Sequence, residues 1–301
     1  MRKIGFIGTG VMGNRMCANF VKAGYPVWIF DVNPASYQNL TELGAIARET
    51  ATQVAEEADV VLASLPNSRI VEAVMFGENG LFEGLKKGEG KVFIDLSSSE
   101  ATSSKMISKK LKEIGVEMLD APVSGGKEGA EAGTLSIMVG GPEEVFEANR
   151  DILGVVGNKI RYIGEAGSGD VMKAVNQILF TMNNVAAAEA FTLGTKAGVD
   201  PAVIAEVINS GSGQSYATTK KMINFTFKRN FTPGFTVDLM VKDANIALNL
   251  AKDLGIELPV AAAAHAEMTE AQKKDLGKKD CTAVINVLEE KAGVIVAPKA
   301  E

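Results

Sequence analysis

The chain has 301 residues, 46% of them hydrophobic and 23% charged, with a formal net charge of −6. That length suffices for two domains with full cores, and this composition excludes fibrous and disordered classes. The acidic balance argues against nucleic acid as the principal ligand, since counterion release needs clustered Lys and Arg, and the pairs Lys109-Lys110 and Lys273-Lys274 read as solvated helix faces.

Met1-Arg2-Lys3 ahead of an apolar run could mimic a secretory signal, but Gly5, Gly8 and Gly10 break that run, so it reads as a first strand over 4–7. The segment GFIGTGVMG then sets Gly8, Gly10 and Gly13 between this strand and a helix expected over 11–23. A second strand over 27–30 ends at Asp31, 18 residues after Gly13. In such a unit the first glycine permits a tight turn, the second lets backbone approach a pyrophosphate and the third allows close helix packing. Asp31 would accept hydrogen bonds from ribose hydroxyls and repel a 2′-phosphate. With Val32 and Asn33 following Asp31, and no Arg after it until Arg48, NAD is expected over NADP.

Further strands are expected over 60–64, 92–95, 116–119, 135–139 and 160–163, with helix-period segments such as 102–114 and 143–153 between them. This alternation predicts a mostly parallel sheet covered on both faces, with ligands at the C-terminal strand ends. Those ends carry Leu65-Pro66-Asn67, Ser97-Ser98-Ser99 and Ala121-Pro122-Val123-Ser124-Gly125-Gly126.

Near Gly164 the pattern changes. From Ser168 to about Lys196 there is neither proline nor strand punctuation, which predicts a helix roughly 40 Å long at ~1.5 Å per residue. It is apolar nearly all round, yet Lys173, Asn176, Gln177, Asn183, Asn184 and Glu189 make it unlike a membrane span and suited to burial between domains or subunits. Helices follow over 201–210, 216–229, 237–254, 260–275 and 281–292. The expected fold is an α/β Rossmann-type doubly wound domain over 1–164 and an all-α substrate and oligomerisation domain over 165–301, joined by the long helix.

Lys173 falls near the start of that helix, with Asn176 and Gln177 three and four residues on, so the three polar groups share a face. A lysine there feels the positive helix end and partial desolvation, both of which disfavour its charged form and suit it to proton exchange. The alternative is a snorkelling side chain that packs its stem and wets its head. Tyr216 and Lys220 have the spacing of a short-chain-dehydrogenase pair, but the glycine motif is of another type, so they read as a surface-helix pair. Two cysteines and one histidine are too few for a zinc dehydrogenase site, so no metal is expected, and His265 in its alanine-rich helix reads as packing. Cys17 and Cys281, on helices of different domains, fit a reduced, cytoplasmic protein.

GFIGTGVMG, DAPVSGG with EAGTLSIMVGG following, GSGDVMKAVNQ and Val241-Lys242-Asp243 occur in this order. Together they resemble the β-hydroxyacid dehydrogenases, the family of 3-hydroxyisobutyrate dehydrogenase and tartronate semialdehyde reductase, over residues 2 to about 292. The segments PVSGGKEGAEAGTLSIMVGG and GSGQSYA are most similar to the branch acting on 2-(hydroxymethyl)glutarate. The resemblance implies an NAD-dependent interconversion of a 2-substituted 3-hydroxy acid and its semialdehyde, with Lys173 exchanging the proton of the C3 oxygen. It implies substrate binding by Ser124, Gly125, Gly126, Asn176 and Gln177, and cofactor binding by Gly8, Thr9, Gly10, Val11, Met12, Gly13, Asp31, Leu65, Pro66, Ser98 and Lys242. The implied substrate is 2-(hydroxymethyl)glutarate or 3-hydroxyisobutyrate, alternatively tartronate semialdehyde, and a homodimer or homotetramer is expected. Two positions depart from the family pattern: Gln177 replaces a second Asn, and Gln214 stands where the hydroxymethylglutarate branch has an Arg for a second carboxylate. A non-catalytic NAD-binding scaffold and an imine reductase are the rival readings; both have less reason to keep the lysine and the Ser-Gly-Gly loop.

Overall fold

The computed structural model describes residues 1–86, 88 and 90–298. The chain forms two compact units, the first ending at Lys173 and the second beginning at Ala174, so the division falls inside the long helix Ser168–Lys196.

The first unit holds a sheet of nine strands: β1 (Ile4–Ile7), β2 (Val27–Phe30), β3 (Ile46–Ala47), β4 (Val60–Ala63), β5 (Val92–Asp95), β6 (Glu117–Asp120), β7 (Val123–Ser124), β8 (Leu135–Gly140) and β9 (Gly157–Gly164). Their order is β3-β2-β1-β4-β5-β6-β8-β7, with β9 also paired to β8. The strands from β1 to β6 run parallel, whereas β8 is antiparallel to β6 and β7 and parallel to β9. Alternation along the strands divides the core in two. Ile4, Phe6, Val27, Ile29, Val60 and Leu62 pack with Phe20 and Leu40 in one cluster, while Ile7, Trp28, Val61 and Ala63 pack with Val54 and Leu81 in another. Because both faces are covered, β1 and β4 are buried along their whole length, which is why they read as unbroken apolar runs. The strand order turns back at β1 and β4, whose ends lie level with Ile7 opposite Ala63, and the loops that follow flank the crevice where such sheets bind ligands.

Several expected elements change in detail. The two-residue strands β3 and β7 are too short to leave a periodic signal. The helix expected over 143–153 is divided at Asn149, which accepts from Arg2 at 2.7 Å and donates to the Val145 carbonyl at 2.8 Å.

The second unit is helical: Pro201–Ser210, Val237–Asp253, Pro259–Ala271 and Ile285–Ala292 surround a core of Phe191, Met222, Met240, Met268 and Val284. The segment expected as an α-helix over 216–229 winds as a π-helix over Ala217–Thr226. Its wider turn carries Lys221 inward to Asp280 at 2.7 Å, and both side chains are almost fully buried. Asp280 also accepts from the N–H groups of Gly234, Phe235 and Thr282 and from the Thr282 hydroxyl. The helix expected over 260–275 ends at Ala271, after which Lys274 and Asp275 leave helical geometry. The one expected over 281–292 opens with a 3-10 turn, Cys281–Val284. Among the described residues no helix is long and apolar enough to cross a membrane.

The Lys221–Asp280 pair yields a test of this unit. Lys221→Ala strands a buried carboxylate, and urea unfolding is expected to show a loss of about 3 kcal/mol or more; a midpoint within error of the parent's would mean that the backbone donors alone satisfy Asp280.

Candidate active site

The three glycines of the first turn are glycines for different reasons. Gly8 has φ +85°, and a Cβ there would lie 2.4 Å from the Ser64 carbonyl oxygen. A Cβ on Gly13 would lie 1.9 Å from the Gly8 oxygen, so the helix Val11–Lys22 approaches β1 only because that atom is missing. Among the described residues, nothing lies within 4 Å of a Cβ on Gly10. Gly10 is the N-cap of that helix, no side chain caps it, and the first turn carries no acid. Its N–H groups therefore remain for an external anion, with room for that anion's close approach, which fits a dinucleotide pyrophosphate.

Asp31 lies at the end of β2, half-buried, and accepts from the N–H groups of Thr9 at 2.7 Å and Asn33 at 2.8 Å. Thr9 is buried, with its hydroxyl 2.6 Å from that of Ser36, while Asn14 donates to the Ser36 carbonyl. The acid is thus rigid, and its remaining lone pairs are available for ribose hydroxyls. Val11 is exposed and Met12 half-buried at the head of the helix. Arg48 is occupied elsewhere, 3.4 Å from Glu57. After β4, the Leu65 N–H donates to Ser97 at 2.8 Å, which joins Leu65-Pro66 to the loop that carries Ser98.

Lys173 is 8% exposed and its ammonium donates to the Val123 carbonyl at 2.8 Å, directly before Ser124, Gly125 and Gly126. Ser124 is half-buried and both glycines are exposed with positive φ, at +141° and +68°. The lysine and the Ser-Gly-Gly loop thus meet within the first unit. The sequence reading missed what lies beneath them: Asp95, Asp120 and Asp170, all buried. Asp120 accepts from the N–H groups of Gly167 at 2.7 Å and Asp170 at 3.1 Å. Asp170 accepts from the Ser99 N–H at 3.2 Å and the Ser104 hydroxyl at 2.6 Å, and Asp95 accepts from Ser97 and Ser99. Burial pushes Asp120 up to about 6 against the lowering by its N–H donors. Burial, with Asp120 and Asp95 nearby, raises Asp170 well above the carboxylate range. An acid placed one turn before the lysine was the available signal.

In the second unit, Asn176 donates to the Gln177 side-chain oxygen Oε1 at 3.0 Å, and Gln177 Nε2 donates to Asp243 at 2.6 Å. Asp243 also pairs with Lys242 at 2.9 Å. A carboxylate only accepts, so Gln177 must turn its NH2 to Asp243 and its oxygen to Asn176. The extra methylene of Gln177 is spent on this reach. Tyr216 is exposed and meets Phe180 edge-on, and Lys220 is exposed; Lys221, not Lys220, is the buried lysine of the π-helix. Gln214 is exposed. Burial lowers the pKa of His265, whose Nε2 has no hydrogen-bond partner among the described residues. Cys17 and Cys281 are buried thiols whose pKa burial raises, and among the described residues no His, Cys, Asp and Glu cluster could hold a metal.

Fold and site together define a dehydrogenase that uses a nicotinamide dinucleotide. The family model described as the NAD binding domain of 6-phosphogluconate dehydrogenase matches residues 3–164, and that described as NAD-binding of NADP-dependent 3-hydroxyisobutyrate dehydrogenase matches residues 167–288. The chain belongs to the β-hydroxyacid dehydrogenase family of the 3-hydroxyisobutyrate dehydrogenase type. It is 42% identical to 2-(hydroxymethyl)glutarate dehydrogenase of Eubacterium barkeri over 98% of this chain and 97% of that one. It is 38% identical to 2-hydroxy-3-oxopropionate reductase of Escherichia coli (strain K12) over 95% and 97%. The solved structure of Mycobacterium tuberculosis 3-hydroxyisobutyrate dehydrogenase with L-serine is 31% identical, with a TM-score of 0.90 over 96% of this chain and 99% of that one.

Two measurements check this geometry. Gly10→Ala is expected to cost under about 1 kcal/mol of stability while weakening NAD binding at least tenfold in calorimetry, whereas Gly13→Ala should lose about 3 kcal/mol or more of stability. Equal effects on folding would contradict the open space at Gly10. For Asp120, a folded pKa raised from 3.8 to about 6 means that its contribution is fully present below about pH 3.8 and is lost as pH rises through about 6. The melting temperature of the parent relative to Asp120→Asn should therefore fall between pH 4 and 7; a rise would reverse the assigned direction.

Proposed function

We propose that the chain is an NAD-dependent oxidoreductase interconverting a 2-substituted 3-hydroxy acid and its semialdehyde, with Lys173 as general acid/base. The observation that carries this reading is the ammonium of Lys173 held at 2.8 Å by the Val123 carbonyl, one residue before the Ser124-Gly125-Gly126 loop. The carbonyl takes one N–H and so aims the rest of the amine. In the oxidative direction the neutral amine takes the proton of the C3 hydroxyl as the C3 hydrogen leaves as hydride; in reduction the ammonium returns it. Bound NAD supplies the hydride acceptor. The Ser124 hydroxyl and the N–H groups of Gly125 and Gly126 hold the substrate carboxylate, and Asn176, fixed by Gln177, orients the substrate.

Gly8, Thr9, Gly10, Val11, Met12 and Gly13 form the pyrophosphate turn, Leu65, Pro66 and Ser98 line the cofactor, and Lys242 serves the nicotinamide. NAD is favoured over NADP because Asp31 repels a 2′-phosphate and Arg48 is engaged by Glu57. The 42% identity supports 2-(hydroxymethyl)glutarate as substrate. A second reading, 3-hydroxyisobutyrate or tartronate semialdehyde, is favoured by the uncharged Gln214 and by Arg229, which forks onto Glu289 at 2.6 and 2.9 Å and so has its charge answered. Val175, Leu179 and Leu193 on the long helix are exposed, which supports a homodimer or homotetramer, and the two free, buried cysteines support a cytoplasmic setting.

The test is NADH formation from NAD with racemic 2-(hydroxymethyl)glutarate, 3-hydroxyisobutyrate or glycerate, repeated with NADP. One of the three is expected to turn over with NAD preferred, and Lys173→Ala should retain NAD binding while turnover drops roughly 100-fold or more. Silence with all three despite NAD binding would point instead to a non-catalytic scaffold.

A further inference from the structure

The helix that carries Lys173 lacks a cap of its own. Its first residue is Ser168, and the residue before it is Gly167, which has φ +86° and no side chain to offer. Helix N-termini leave backbone N–H groups without partners, and burial of such groups is costly. Here they are met from another element: Asp120, at the end of β6, accepts from Gly167 and Asp170. Space for this carboxylate is made by glycines. A Cβ on Gly140 would lie 2.6 Å from one Asp120 oxygen and 2.7 Å from the other, and a Cβ on Gly169 would lie 2.5 Å from the Asp120 carbonyl.

The same two segments touch again one turn further on. Val123 follows Asp120 by three residues, Lys173 follows Asp170 by three, and their contact is the 2.8 Å hydrogen bond from Nζ to the Val123 carbonyl. Asp170 extends the arrangement to the serine loop after β5, through the Ser99 N–H and the Ser104 hydroxyl.

We propose that Asp120 is a positioning residue for the reaction: by capping the helix start from β6 it sets the height of Lys173 above the Ser-Gly-Gly loop, and Asp170 ties that height to the serine loop. This rests on the reading of Lys173 as acid/base. A lysine side chain has four rotatable bonds, and an anchor one turn from its Cα confines the ammonium to the small volume where proton exchange with a bound alcohol is efficient. Asp120 itself touches no substrate. The charged groups near it and Asp170 are Asp95 from β5 and Lys105 from the helix Ala101–Lys112, whose stem lies beside Gly167. Burial pushes Asp120 up to about 6 against the lowering by its N–H donors.

The test is a double-mutant cycle on kcat, with NAD and the 3-hydroxy acid that the parent oxidises best. Asp120→Asn keeps one of the two acceptor contacts and should lower kcat about tenfold, with KM and NAD affinity within about threefold. In a Lys173→Ala background the same change should leave residual turnover, with and without added methylamine, within about twofold, because the group it positions is gone. Equal losses in both backgrounds would make Asp120 a general structural residue, and an unchanged kcat in the single variant would also overturn the proposal. Near-normal turnover of Lys173→Ala alone would instead overturn the reading of the lysine. Should Asp120→Asn fail to fold, Ser104→Ala loosens the arrangement at Asp170 and should lower kcat about threefold in the parent and not in Lys173→Ala.

Discussion

One carboxylate set against one helix end organises the first unit. Asp120 accepts from the N–H groups of Gly167 and Asp170 at 2.7 and 3.1 Å, which brings the helix start against the end of β6. Such an approach requires hydrogen in place of side chains at Gly140 and Gly169, where added carbons would collide with Asp120 or its carbonyl. Burial opposes the charge on the acid and donated hydrogen bonds favour it, and the balance leaves a group raised to about 6. The cost of keeping three acids together, Asp95, Asp120 and Asp170, is offset by the donors of the serine loop and of the helix start.

The glycines of the first turn show how a binding site can be separated from a folding requirement. Gly8 and Gly13 answer to atoms of the protein itself, at 2.4 and 1.9 Å from their imagined Cβ atoms. Gly10 answers to nothing among the described residues. A position with no internal reason for lacking a side chain, at an uncapped helix start, is where an outside anion belongs. Steric accounting of this kind distinguishes the three members of a motif that a pattern match treats alike.

How much of this was legible beforehand follows from the range of each interaction. β1, β2 and β4 are buried on both faces, so their sequences are continuous apolar runs, and their positions were readable; so was the long helix, from its length without punctuation. The π-helix at Ala217–Thr226 was not: the partner of its buried Lys221 is Asp280, some sixty residues away. Lys173 and the Ser-Gly-Gly loop were readable as separate segments, from polar or glycine residues where packing would not ask for them. Asp120 and Asp170 stand inside those same segments and were passed over, since an Asp in a motif declares no partner. Asp243 stands in the Val241-Lys242-Asp243 motif, but its link to Gln177 depends on the facing of two helices within the second unit.

A common logic runs through both units. Four of the side chains proposed to meet substrate or cofactor are long or amide-bearing: Lys173, Asn176, Gln177 and Lys242. Freezing such side chains costs on the order of 1–2 kcal/mol each in rotamer entropy, which must be met before substrate arrives if the reaction is not to bear it. In each unit a buried acid performs that service. Asp120 fixes the backbone from which Lys173 springs; Asp243 holds Gln177, and through it Asn176, and also pairs with Lys242. Carboxylates suit the task because they only accept: a neighbouring amide or amine has one sensible way to face them, so orientation is decided along with position. An amide in the acid's place could turn either way and leave both arrangements populated, which makes charge, in these interiors, the means of obtaining a single geometry.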